Sequence, residues 1–428
     1  MYPILSFFLL TSFVSSLSIP RAQDTALIKL NDNAQQGLLP LRRRVLKPLK
    51  RRFGKRDDWA VNLTQADGNQ EFVALVTFGT SSTTLQTFEL PIDTASSDTW
   101  VARNDFVCEY YVNYCDPGPL YTPSASFVPL NASLSDEYGD GRILGQFGTE
   151  TVMIAGISHK LYSNIRHNSR IVGFTVPNAI IGVVSEGQWA FNGDTSGLLG
   201  LGGSMLANLW YSSASGPRHY QPLLYQMVSQ GIGILNFTLG LTQTGGYLGL
   251  SGFIPDVWHS DEWVTTPMPA YSNDSRSGVA YSYYEIYIES IDLYTSQYAN
   301  IKYPYRNYMV VDSGTSVNIF PDYIANAINE VWDPQPNPYD GSMPCDVSEF
   351  IRVPQLGVTI GNYTIWHDPQ TLISQYSNGQ CGPAIFGSGT GAGESPIILG
   401  TPFLMNVIAV FDLWNQVMRL TSTNPNQV

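Results

Sequence analysis

The feature that most constrains this chain is an Asp-led turn that occurs twice. A strand-like run ending at Ile92 enters Asp93-Thr94-Ala95-Ser96, and well downstream stands Gly197-Leu198-Leu199-Gly200. In the second half Met309-Val310-Val311 enters Asp312-Ser313-Gly314-Thr315-Ser316, followed later by Ile397-Ile398-Leu399-Gly400. Each half therefore carries an Asp, a hydroxyl residue and a small residue at a strand end. Each is followed by two apolar residues and a Gly. Two similar halves meeting at a cleft would bring the two turns face to face. The surrounding sequence reads as strands, with β-rich runs at 72–78, 85–92, 286–295 and 308–313. Abundant Gly (38), Pro (27) and Tyr (25) suit a body of strands and turns. Helices are expected to be few, among them 222–230, with Pro at its first position and Gly just past its end, and 321–332. The boundary between halves is expected near residue 256. The first half is the longer, and its surplus is expected as loop around 156–192 and 204–221.

A carboxylate at the end of an apolar strand is costly unless it is hydrogen-bonded. Thr94 and Ser313 offer hydroxyls at the position after each Asp, and Ser96 and Thr315 offer them two positions further on. Two carboxyls that face each other cannot both ionise easily, so one proton is shared. Such a pair supplies a base to activate water and an acid to assist a carbonyl oxygen. Asp93 and Asp312 are the candidates for that chemistry. Rival chemistries lack their residues. There is no Gly-x-Ser-x-Gly elbow, no His-Glu-x-x-His and no phosphate-loop Lys. No Cys-x-x-Cys occurs and the five His are scattered, so neither a metal nor an organic cofactor is implied.

The chain ends and the charge distribution add a processing history. Residues 1–18 form a short apolar run ending in small residues, which reads as a signal peptide without a membrane anchor. Residues 19–56 hold 11 of the 22 Lys and Arg and end in the dibasic Lys55-Arg56. They read as a propeptide whose cations cover an acidic cleft and whose removal follows Arg56. From residue 57 onward 11 basic residues face 33 acidic ones, which argues against a nucleic-acid partner. Four cysteines behind a signal peptide suggest two disulfides. Of three pairings the local one, Cys108–Cys115 with Cys345–Cys381, is favoured. Asn-x-Ser/Thr sequons at Asn62, Asn131, Asn236, Asn273 and Asn362 are glycosylation candidates.

These motifs resemble the pepsin-like aspartic proteases, and the likeness spans almost the whole chain. VNLT at 61–64, DTASSDTWV at 93–101, YGDG at 138–141, GLLGLG, VVDSGTS and ILGTPFL fall in the family's order. The resemblance implies a mostly β, bilobal fold, with lobes 57–256 and 257–428 flanking a substrate cleft. It implies an aspartic-type endopeptidase, a monomer acting on polypeptides and inhibited by its own propeptide. Secretion ranks ahead of an acidic vacuolar compartment. By it Asp93 and Asp312 hold the nucleophilic water, while Ser96 and Thr315 bond their outer oxygens. Thr94 and Ser313 would tie the loops together beneath them, and Gly314 would support the pair. Residues 137–141 read as a hairpin tip, and by resemblance form a flap. Tyr138 would cover the pair with its hydroxyl near the Trp100 indole N–H. Gly139, Asp140 and Ser316 would contact substrate, with Asp140 resembling the flap acid of fungal members. One position departs from the family. Ala95 stands where the motif carries Gly, and its methyl opens the alternative of a catalytically silent peptide-binding protein.

Overall fold

The structure, a computed structural model, describes residues 60–423. The exceptions are 67–70, 81–84, 110–114, 140, 156–172, 190, 192, 212–217, 252–258, 270–281, 296–297, 377 and 390–395. The leader 1–18, the basic segment 19–56 with Lys55 and Arg56, the boundary at 256, Asp140 and Asn273 lie outside the described residues.

The two Asp turns are built the same way. The strand Gln86–Asp93 enters the first turn, and Trp100–Cys108 leaves it. Between them runs Gly197–Gly200, parallel to the first (Ile92 beside Leu199) and antiparallel to the second (Trp100 beside Leu198). In the second half Tyr298–Val311 enters the turn and Asn318–Phe320 leaves it. Ile398–Leu399 lies between them, again parallel to the entering strand and antiparallel to the leaving one. The apolar pairs noted in the sequence are thus the middle strands. Leu199 and Leu399 are fully buried, as are their neighbours Ile92 and Val311. Burying side chains of this size contributes about 1.5–3 kcal/mol each. The Gly that ends each pair is dictated by space. A Cβ on Gly200 would lie 2.5 Å from the Ser97 backbone, and one on Gly400 would lie 2.1 Å from the Val317 carbonyl oxygen.

Among the described residues there are sheets of 15, seven and two strands. The largest carries the first Asp turn. It continues through Ala60–Ala66, Gly245–Leu250 and Asn236–Thr242 to the C-terminal strands Val407–Asp412 and Val417–Ser422. The seven-stranded sheet carries the second turn. The helices are short: Leu223–Ser229 behind Pro222, Asp322–Asn329 behind Pro321, and the single turn Thr401–Leu404, which the sequence reading did not foresee. The inward faces of the first two are apolar, with Leu223, Leu224 and Met227 buried on one and Ile324 and Ile328 on the other.

The expectation of loop at 156–192 needs correcting. Residues Gly173–Trp189 form a 17-residue strand, paired with Gly141–Ala155 on one side and Trp100–Cys108 on the other. Asn208–Tyr211 and Arg218–His219 likewise pair as strands within the second segment. Two ladder partners outweigh the weak strand propensity of the Gly and Asn in these segments.

Candidate active site

The cleft chemistry begins with two carboxyls that the fold leaves almost no water to solvate. Asp93 is 8% exposed and Asp312 5% exposed. Each is held by its own turn in the same pattern. Asp93 accepts from the Ala95 N–H at 2.8 Å and from the Ser96 hydroxyl at 2.6 Å. Asp312 accepts from the Gly314 N–H at 2.8 Å and from the Thr315 hydroxyl at 2.5 Å. Beneath them the turns cross-link. The Thr94 hydroxyl donates to the Val311 carbonyl at 2.9 Å and accepts from the Ser313 N–H at 2.9 Å. The Ser313 hydroxyl donates to the Ile92 carbonyl at 2.9 Å and accepts from the Thr94 N–H at 3.2 Å.

The two carboxyl groups lie close enough that the charge of Asp93 acts on Asp312. Burial, and then the charge of Asp93, push the Asp312 carboxyl up to about 8. The pair is therefore built to keep one proton. Ala95 takes no left-handed backbone, since the non-glycine residues there are Asn178, Ser251, Arg306 and Gln416.

The hairpin of Val128–Tyr138 and Gly141–Ala155 pairs Tyr138 with Gly141 across its tip. Tyr138 accepts from the Trp100 Nε1–H at 3.2 Å. Trp189 packs edge-on against both rings, with centroids 5.0 Å from each. Gly139 is exposed at the tip. Ser316 lies elsewhere than on the flap. With Gln243, Gln370, Thr401 and the Cys345–Cys381 pair it lines a cavity of about 150 Å³.

The cysteines are joined as Cys108–Cys115 and Cys345–Cys381. Asn131 and Asn362 are exposed, and Asn62 lies in the strand Ala60–Ala66. Asn236 sits in a strand paired on both sides. Its side-chain oxygen is buried, and Thr238 of the same sequon is fully buried, so the folded chain does not present that sequon.

Four residues that the sequence reading did not single out belong to this site: Asp98, Asp136, Trp189 and Tyr220. Period-two alternation along a strand places Asp136 on the same face as Tyr138, which was the available signal. A further buried group, His367, supports the second turn. A neutral ring donates from Nδ1 to the Leu356 carbonyl at 3.2 Å and accepts at Nε2 from the Asn318 amide at 3.3 Å. Asn318 in turn accepts from the Gly400 N–H at 2.9 Å.

Burial holds the His367 imidazole down at about 4. A folded-state value below the unfolded one means that the folded chain resists protonation. The contribution is complete above the unfolded value of about 6.5 and is lost as pH falls toward 4. That range corresponds to roughly 3 kcal/mol. Thermal unfolding of wild type and His367→Leu between pH 7 and 4 measures it. Wild type should lose the larger share of stability over that interval, and parallel curves would refute the assignment.

The sequence profile of the eukaryotic aspartyl proteases matches residues 71–423, across both Asp turns and the hairpin between Val128 and Ala155. The chain belongs to that family. A probable aspartic-type endopeptidase of Aspergillus fumigatus is 32% identical over 364 residues, covering 79% of this chain and 76% of that protein. Vacuolar protease A of Neurospora crassa is 23% identical over 352 residues, covering 81% and 76%. The crystal structure of the aspartic proteinase from Irpex lacteus superposes with a TM-score of 0.59 at 18% identity, covering 86% of this chain and 98% of that one. This aspartyl protease therefore has the mostly β, bilobal fold of its family.

Proposed function

We propose that this protein is an acid endopeptidase in which Asp93 and Asp312 are the catalytic pair. The observation that carries the reading is the matched set of hydrogen bonds around two buried carboxyls. Asp312, holding the proton, donates it to the carbonyl oxygen of the scissile bond. Asp93 takes a proton from a water whose oxygen attacks the carbonyl carbon. The tetrahedral species collapses as the C–N bond breaks and the departing nitrogen takes a proton from the pair. Ser96 and Thr315 fix the outer oxygens, and the Thr94–Ser313 crosslinks fix the spacing. Tyr138 closes over an extended peptide and excludes water.

The protein is made as a secreted zymogen. Residues 19–56 act as an inhibitory pro-segment until cleavage after Arg56 removes them. Charge complementarity supports this reading, since half of all Lys and Arg lie in that short segment.

A second reading, a peptide-binding protein without activity, is favoured by Ala95 alone. The Ala95 N–H keeps the same 2.8 Å bond to Asp93 that Gly314 makes to Asp312, which favours the enzyme. Processed protein incubated with denatured haemoglobin or casein across pH 2–7 separates the two. Cleavage confined to acid pH and blocked by pepstatin is expected. Binding of pepstatin without any cleavage would leave the silent binder.

A further inference from the structure

A second pair of carboxyls lies behind the flap. Asp98 follows the first Asp turn, and Asp136 stands two residues before Tyr138 on the flap's first strand. The two carboxyls lie close enough to act on each other. Asp98 is 3% exposed and accepts from the Tyr220 hydroxyl. The Tyr138 hydroxyl donates to Asp136 Oδ2 at 3.5 Å while accepting from the Trp100 indole N–H.

The donors and acceptors fix the proton count. Trp100 donates to Tyr138, and Tyr138 donates to Asp136. Tyr220 donates to one oxygen of Asp98. One tyrosine donor reaches each carboxyl, and the deeper burial of Asp98 makes it the partner that holds the proton between them. Without that proton the pair becomes two close like charges with little water around them, which pushes the flap strand away from the first Asp turn.

We propose that Asp98 and Asp136 are positioning residues for Tyr138, and that the single proton they share latches the flap onto the strand leaving the first Asp turn. The latch rests on the reading of the hairpin as the flap of an acid peptidase. It adds that flap placement is itself set by pH, through a carboxyl pair separate from Asp93 and Asp312.

The surroundings agree with a shared proton. Burial, followed by contact with Asp136, holds the Asp98 carboxyl well above the usual range, and burial raises Asp136 as well. The groups facing the pair are Tyr220 and Tyr138, and Tyr138 also feels the charge of Asp93. Neither Lys nor Arg is among the described groups acting on either carboxyl. Raised values put the latched state on the acid side, and opening follows as pH rises.

The test follows hydrogen exchange of residues 133–146 in the processed protein from pH 3 to 7, corrected for intrinsic rates, together with kcat and KM on a peptide substrate. In wild type, protection of the hairpin should fall and KM should rise at least fivefold as pH increases, with a smaller change in kcat. Asp98→Asn keeps a donor toward Asp136 that does not titrate, so both pH dependences should flatten. Asp98→Ala should leave the hairpin unprotected at pH 4 as well and raise KM there about tenfold. Protection that is flat with pH in wild type, or an Asp98→Asn protein that tracks wild type, would overturn the proposal. If the preparation cleaves nothing, the exchange measurement still decides the latch, while the missing cleavage counts against the catalytic reading alone.

Discussion

Asp93→Asn should abolish peptide cleavage while leaving the protein folded and more stable near neutral pH. The activity loss is expected at about 10²- to 10⁴-fold, the range for removing a positioned base. The stability gain follows from the charge of Asp93, one of the causes that raise the Asp312 carboxyl to about 8. A carboxyl whose folded value is raised contributes stability in full below its unfolded value of about 4. That contribution is lost as pH rises through the folded value. Removing the negative neighbour makes ionised Asp312 less costly, so the loss at neutral pH shrinks. Steady-state kinetics at pH 4 and thermal melts at pH 4 and 7 read both effects. Retained cleavage would remove Asp93 from the chemistry. Lost cleavage with a lower melting point at pH 7 would point to misfolding instead.

Gly314→Ala should be nearly as damaging, although Ala is native at the corresponding position of the other turn. A Cβ on Gly314 would lie 2.7 Å from Cγ and Oδ1 of Asp93 and 3.1 Å from its Oδ2. Both turns are backbone held by crosslinks, so neither can retreat without disturbing the bonds of Thr94 and Ser313. Overpacking of this kind costs about 1–3 kcal/mol of stability. Displacing a reacting group by about 1 Å costs about 10²-fold in rate. The expected outcome is a loss of kcat/KM of about two orders of magnitude with a lower melting temperature. A fully active Gly314→Ala protein would show that the second turn does not approach Asp93 as closely as described.

Much of this arrangement was legible in the sequence because it repeats. Each Asp turn, and the apolar pair with its Gly, occupies the same place in both halves, while the parallel pairing of that apolar pair emerged only from the structure. The local cysteine pairing was readable because each pair is confined to one half. What sequence could not supply were contacts made only by the wrapping of the large sheet. Asp98 meets Asp136 because the flap hairpin folds back over the strand Trp100–Cys108 through the long strand Gly173–Trp189, and that strand looks like loop when read alone. Tyr220 reaches Asp98 across 122 residues of chain. Ser316, one residue past the second turn, lines a cavity beside a disulfide.

The order in which the large sheet is closed constrains how the protein can be made. Asn236–Thr242 is hydrogen-bonded to Val407–Asp412, which is in turn flanked by Val417–Ser422. A ribosome that has finished Asp93, the hairpin of residues 128–155 and the helix at Leu223–Ser229 has still not supplied the strands that complete their sheet. Pairings of such sequence separation are slow to form. The nascent first half must wait, with an unpaired strand edge exposed, until the last few residues emerge. Premature termination anywhere upstream of residue 407 would thus disable the half of the enzyme already synthesised.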